Sequence, residues 1–281
     1  MKNNYAELIA STEAAYDMRV KEVADRMLSC GSRILLIAGG SCVGKTPTTI
    51  KLDKYLTDAG RNVHSISLDD FYRFGDECVY LPDGTKDIES INSLRLDLIT
   101  KMMRDIAENK PVLSLPRFDF TVKERTDDAI KIERTDNDLF IIEGLHAHNP
   151  LIADAADSAY RLYLYTKREG CDFNPRLVRR IVRDSIYRAS PARCTIDQWH
   201  NVIAEEEKSI IPFADNADDS INTYFAYERG LFVDLTLKML DDMPPVAEYD
   251  DEKAMIRDYL CGAESIPSEA VPPNSLMKEF V

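Results

Sequence analysis

The chain has 281 residues, 44% of them hydrophobic and 30% charged, enough length and apolar content to bury a substantial core rather than stay disordered. Its formal net charge of -14 repels nucleic acid and anionic membranes at long range, so any phosphate it binds must meet a local basic site. No apolar run approaches the roughly 18 residues a membrane span needs, and the polar, acidic start MKNNYAELIASTEAAYDM does not read as a leader, so a cytoplasmic protein with neither membrane nor nucleic-acid partner is expected.

Taken in chain order, residues 7–28 carry Leu8, Ala15, Met18, Val23 and Met27 at spacings near three or four, which predicts a leading helix. The run RILLIA (33–38), ended by Gly39 and Gly40, predicts a parallel strand covered on both faces. Residues 39–46, GGSCVGKT, satisfy G-x-x-x-x-G-K-[ST] between that strand and a helix over 45–59 closed by Gly60. This is the context of a phosphate-binding loop: glycines let successive backbone N–H groups converge on phosphate oxygens, and the helix N-terminus adds partial positive charge. Gly39, Gly40, Ser41, Cys42, Val43 and Gly44 then form the cradle, Lys45 reaches the terminal phosphates, and the Thr46 hydroxyl suits a magnesium ligand. Pro47 falls in the first helical turn, where its missing N–H is tolerated. Cys42 is a candidate for oxidation, because helix N-termini lower thiol pKa. The other cysteines, Cys30, Cys78, Cys171, Cys194 and Cys261, show no Cys-x-x-Cys spacing and read as reduced thiols.

Residues 62–68 alternate and end in acids, predicting a second strand. Ile88, Ile91, Leu94, Leu98, Met102 and Ile106 predict one long helix over 88–107 with Asp87 as its cap. Residues 139–142 and 160–165 read as further buried strands, and helix-length segments between strands imply right-handed crossovers and a parallel sheet. Asn174 and Pro175 open another helix, in which spacings of three, four and seven place Arg176, Arg179 or Arg180, and Arg183 along one face. A solvated helix face is the alternative reading of those arginines. Residues 196–211 are predicted helical, and the acidic, proline-bearing region after Asp234 is expected to pack onto the same domain.

A nucleotide-binding loop does not fix the reaction. Signalling GTPases also carry a guanine-reading Asn-Lys-x-Asp, whereas Asn109 and Lys110 are followed by Pro111 and Val112. In open parallel sheets ligands sit at the carboxyl ends of the strands, and here those ends are polar: SLDDFY (67–72) and FIIEGLHAHNP (140–150), with LPRFDF (115–120) between them. An acceptor hydroxyl needs a carboxylate to orient it or take its proton, and magnesium needs a further anionic partner. A turn or cap role is the alternative for Asp69 and Asp70. His146 and His148, two apart with no third ligand, do not make a metal site.

GGSCVGKT, SLDDFY, PRFDF followed by Arg125, IIEGLHA and RLVRRIVRD, in that order over residues 33–218, resemble the uridine kinase and phosphoribulokinase family. EEEKSIIPFADNAD (205–218) and PPNSLMKEF near the end are similar to the uridine kinase-like domain that elsewhere follows a TGS domain, here as a stand-alone version. The resemblance implies an α/β fold of the P-loop NTPase type, three layers (α/β/α) around a parallel sheet as in nucleoside and nucleotide kinases, with ATP and Mg2+ as cofactors. Residues 1–281 then form a single P-loop kinase domain: leading helix 1–32, core 33–235 with an arginine-rich helical lid over about 172–190, and C-terminal helical extension and tail 236–281. Its acceptor would be a nucleoside-like small molecule, uridine or cytidine, and assembly into a homo-oligomer is implied by the resemblance only. At matching positions, Asp69 becomes the catalytic base and a magnesium partner, Lys45 and Arg180 act on the transferring phosphoryl group, and Glu143 assists magnesium with Thr46. Tyr72, Phe118 and Phe120 flank the acceptor, Arg125 and His146 join its pocket, and Arg176, Arg179 and Arg183 complete the lid over ATP.

Two departures concern the acceptor. Lys123 stands where the family places a pyrimidine-reading histidine, and the family's Asp-His-Pro-Asp segment is replaced by Asp87-Ile88-Glu89-Ser90. Glu89 or Asp87 still suits a sugar diol, while Lys123 suits an acceptor anion, so a sugar, polyol or sugar phosphate is the alternative acceptor. A nucleotide-binding regulator without catalysis is the alternative from another class.

Overall fold

The computed structural model describes residues 5–82, 84–156 and 158–281. In chain order these hold α1 (Tyr5–Cys30), β1 (Ile34–Gly39), α2 (Lys45–Asp58), β2 (Asn62–Ser67), α3 (Leu96–Ala107), β3 (Val112–Asp119), β4 (Glu124–Glu133), β5 (Asp138–Glu143), α4 (Pro150–Ala153), β6 (Tyr160–Tyr165), α5 (Arg176–Tyr187), α6 (Ala192–Ser209), β7 (Asp219–Asn222), α7 (Glu228–Asp241) and α8 (Asp250–Leu260).

Five strands form one parallel sheet in the order β2-β5-β1-β6-β7. Side chains alternate across it, and both sets are apolar because both faces are covered. Leu35, Ile37, Leu139 and Ile141 face one core with α1, α2, α5, α6, α7, α8 and the C-terminal segment. Ile34, Leu36, Phe140 and Ile142 face the other, with α3, α4 and the inner side of the β3–β4 hairpin. The architecture is therefore the expected three-layer α/β/α sheet. β1 is central, so the turn after it lies between the ends of β5 and β6, and register sets Ser67 beside Glu143 and Glu143 beside Ile37.

Three segments differ from the sequence reading. The long helix expected over 88–107 begins only at Leu96; Asp87 accepts from the Ser90 backbone and hydroxyl, and Ser90 in turn caps a short 3-10 turn at Ile91–Ser93. Aspartate and serine side chains here compete with helical backbone bonding, and Ile88, assigned to the apolar face, is half exposed. Residues 112–133 form an antiparallel hairpin, β3 with β4, bent by an irregularity between Leu115 and Arg117 where Pro116 removes a donor. The edge strand β7 and the helix α7 also had no counterpart in the reading. No helix among the described residues is long and apolar enough to cross a membrane.

Candidate active site

The glycine turn after β1 has the shape its sequence demands. A Cβ at Gly39 would stand 2.4 Å from the Leu164 carbonyl oxygen, and Gly44 adopts φ +90° with the Leu276 side chain against it, so neither place admits another residue without displacement. α2 starts at Lys45, which makes Pro47 its third residue, among the N–H groups that lack helical partners anyway. The Lys45 ammonium donates to the Gly39 and Gly40 carbonyls at 3.0 and 3.1 Å. Cys42 is buried, and burial pushes its thiol pKa up, the reverse of the lowering expected at a helix N-terminus.

Strand ends bring two acids to this turn. Glu143, at the end of β5, is buried and accepts from the Ser67 hydroxyl at 2.9 Å and the Thr46 hydroxyl at 3.4 Å. Desolvation raises its pKa to about 7, Lys45 pulling the other way. Asp69, in the short turn after β2 that Ser67 caps, is pushed up by burial and drawn down by Lys45, Arg188 and Arg183. Asp70 does not join it: its carboxylate accepts from the Phe118 N–H at 3.0 Å and fixes the hairpin to the strand end. Glu89 reaches Arg180 at 3.3 Å, and its backbone carbonyl meets the His146 ring at 2.7 Å. His146 is buried and held toward its neutral form by burial.

The described residues contain no cluster of three or more His, Cys, Asp or Glu side chains able to hold a metal alone. What they offer is a buried carboxylate bracketed by two hydroxyls, beside a lysine and a second carboxylate. That fits magnesium, which keeps several waters and is commonly bound through one or two carboxylates plus substrate phosphates.

On the acceptor side Tyr72, Phe118 and Phe120 form an edge-packed aromatic group with centroids 4.8 to 6.3 Å apart. Phe120 is 58% exposed. Arg125 is engaged by the protein itself: buried, it donates to the Tyr72 carbonyl at 2.7 Å, pairs with Glu77 and Asp127, and stacks on Phe74, clamping the hairpin to the loop after β2. Lys123 is exposed, in a left-handed turn at the hairpin tip (φ +58°), and no ion pair among the described residues engages it. Asp87 is occupied by Ser90.

The arginines of α5 do not share one solvent-facing side. Arg179 is fully enclosed, donating to Glu228, the Thr223 carbonyl and the Cys42 carbonyl. Arg176 makes a two-pronged buried pair with Glu206 of α6, and its Nη1 donates to the Ser41 carbonyl at 3.0 Å. Glu206 also accepts from the Ser41 N–H at 3.0 Å, so this pair clasps the phosphate loop from outside. Arg180 donates to the Ser41 hydroxyl at 3.1 Å, and Arg183 is paired with Asp184. The lid expectation is corrected to this extent: α5 is a packed element whose apolar residues alternate with arginines bonded inward, Arg180 reaches Ser41, and Arg183 and Arg188 lie within electrostatic reach of Asp69.

Ser67, Arg188, Glu206 and Glu279 complete the surroundings and were not singled out from sequence. Ser67 opens SLDDFY at the end of β2, where register alone makes it Glu143's neighbour. Glu206 and Glu279 lay in segments whose positions depend on long-range packing.

The model of the Phosphoribulokinase / Uridine kinase family matches residues 34–225. Similar proteins include a uridine kinase of Macrococcus caseolyticus, 30% identical over 171 residues that span 60% of this chain and 77% of that protein. A uridine kinase of Staphylococcus epidermidis is 28% identical over 187 residues, 66% of this chain and 84% of its own. Among solved structures, a possible uridine kinase from Bacillus stearothermophilus aligns with a TM-score of 0.52 at 16% identity, covering 73% of this chain and 97% of that one. The D-glycerate 3-kinase of Cryptococcus neoformans var. grubii aligns at 0.51 and 13% identity, covering 75% and 95%. At these identities the two structures speak to the fold alone.

Proposed function

The chain belongs to the phosphoribulokinase/uridine kinase family, and from that premise we propose that it transfers the γ-phosphoryl group of magnesium-bound ATP to a hydroxyl of a small molecule, with the 5'-hydroxyl of uridine or cytidine as the favoured acceptor. One observation carries the reading: Ser67 bonds both the Glu143 carboxylate and the Asp69 backbone, Glu143 meets the Thr46 hydroxyl next to Lys45, and both acids lie within electrostatic reach of Lys45.

In this mechanism the backbone of residues 39–46 and Lys45 hold the β- and γ-phosphates, while Arg180 and Arg183 approach from α5. Magnesium, when bound with the nucleotide, neutralises charge on those phosphates, and Thr46 and Glu143 are the groups that would hold it. Asp69 orients the acceptor hydroxyl and takes its proton; the burial that raises its pKa makes its carboxylate a stronger base, and the Lys45 charge opposes that rise. Positioning and electrostatics supply most of the rate, as expected of phosphoryl transfer. Tyr72, Phe118 and Phe120 support a flat base over a polyol, because a base has a π-face to stack on an exposed ring and a polyol has none. Glu89 is the candidate for the sugar hydroxyls, since Asp87 is already bonded to Ser90.

The test is acceptor-dependent ADP formation across nucleosides, sugars, polyols and sugar phosphates. Uridine or cytidine should give the largest kcat/KM. A sugar or polyol in first place would overturn the acceptor, and ADP formation with no acceptor on the panel would overturn the kinase reading. Lys45→Ala should abolish turnover.

A further inference from the structure

The family match ends at Phe225, yet the last residues of the chain reach the phosphate loop. A 3-10 turn, Leu276–Glu279, is capped by the Ser275 hydroxyl, which accepts from the Met277 N–H at 3.0 Å. With three residues per turn, Glu279 lies over Leu276, and Leu276 is the side chain seated on Gly44. The next residue, Phe280, is fully buried with its ring 5.4 Å from the Arg179 guanidinium, which itself holds the Cys42 carbonyl of the loop. Anchored on both sides, the Glu279 carboxylate falls within electrostatic reach of Lys45, Arg183, Arg179 and Arg188, and its charge is felt at Glu143. One of its oxygens, Oε2, is enclosed without a hydrogen-bond partner.

The charges around this volume do not balance. Arg179 is paired with Glu228 and Arg180 with Glu89, while Asp184 alone answers Arg183 and Arg188, so one arginine charge and Lys45 stand against three further carboxylates. Lys45 is in no ion pair among the described residues and faces Asp69, Glu143 and Glu279. A triphosphate entering alone would bring like charge to three carboxylates; one accompanied by a divalent cation would place positive charge among them.

We propose that Glu279, delivered by the C-terminal segment, is a specificity-determining residue of the phosphate site that favours the magnesium complex of the nucleotide over the metal-free form. The inference rests on the reading of residues 39–46 as a nucleotide site, and its test separates the two.

Titration calorimetry with ATP, once with magnesium and once with EDTA, is run on wild type, Glu279→Gln, Glu279→Asp and Lys278→Gln. Removing one close negative charge should tighten metal-free ATP by about tenfold, the order expected of a unit-charge interaction at short range and intermediate dielectric. The magnesium complex should bind Glu279→Gln no tighter than wild type. Glu279→Asp keeps the charge but draws it back, so its preference should fall between the two, and Lys278→Gln, whose ammonium donates to the Ser268 carbonyl at 2.9 Å, should leave the preference unchanged. Equal shifts for both nucleotide forms, or none for either, would overturn the assignment of Glu279 while leaving the nucleotide site standing. Wild type that binds neither form would overturn the nucleotide site and the inference with it.

Discussion

Arg179 has no contact with solvent, and its guanidinium holds together Glu228 of α7, the backbone after β7 and the phosphate loop. Removing one partner of such a buried pair leaves the other uncompensated, typically a loss of about 3–5 kcal/mol. Arg179→Ala should therefore lower the urea midpoint by that order, whereas Arg180→Ala, beside the part-exposed Glu89, should act mainly on turnover; equal losses of stability in the two variants would contradict the distinction. His148 gives a pH prediction. Its ring meets the Leu36 carbonyl at 3.2 Å, and burial lowers its pKa from 6.5 to about 4. The unfolded chain thus binds the proton first, and this contribution to stability, on the order of 3 kcal/mol, is lost as pH falls from 6.5 toward 4. Glu143 acts in the opposite sense, its pKa raised from 4.5 to about 7, so its contribution is lost as pH rises through that window. His148→Gln should leave the Glu143 trend less opposed, and denaturation midpoints between pH 4.5 and 6.5 should fall more steeply with pH than in wild type. Four arginines within eight residues were plain in the sequence; which of them face inward was not, because a spacing fixes an angle around the helix axis and not which elements pack against it.

The glycine turn with its flanking strand and helix was legible because its conformation is local: apolar run, glycines, then a helix start. The β3–β4 hairpin was not. Its outer face in β4 is polar but for Ala129, and its turn, residues 120–123, lacks the glycine that marks a tight hairpin; the Asp119 carboxylate instead accepts from the Thr121 and Val122 backbone N–H groups. The hairpin matters because it carries Phe118 and Phe120 to Tyr72. Phe120 is largely exposed, so Phe120→Ala should leave the melting temperature within about a degree while raising the KM for the acceptor several-fold, with KM for ATP unchanged. A matching rise in the KM for ATP would mean that the hairpin serves both substrates.

Over the whole molecule, the core on one side of the sheet is shared by α1, α2, α5 and the residues beyond the family match, among them Phe232, Ile256, Leu260, Ile266, Val271, Leu276, Met277 and Phe280. Ile266, Val271, Leu276, Met277 and Phe280 each bury a side chain worth about 1.5–3 kcal/mol, together comparable with the entire stability of an ordinary domain. A chain ended after residue 262 should lose cooperative thermal unfolding, observed as a broadened or absent calorimetric transition; a sharp transition near the wild-type temperature would show the tail to be peripheral. The sequence carried the parallel sheet and its strand ends, since both depend on short apolar runs. It carried much less of the C-terminal region, where single apolar residues separated by proline and acids find partners only across the fold. The central claim is that Asp69 is the base opposite the nucleotide's terminal phosphate. Pre-steady-state phosphoryl transfer by Asp69→Asn, with ATP binding measured in parallel, tests it most directly: ATP should bind within a few-fold of wild type while the transfer step falls by about a hundredfold or more, and a transfer rate close to wild type would contradict the account.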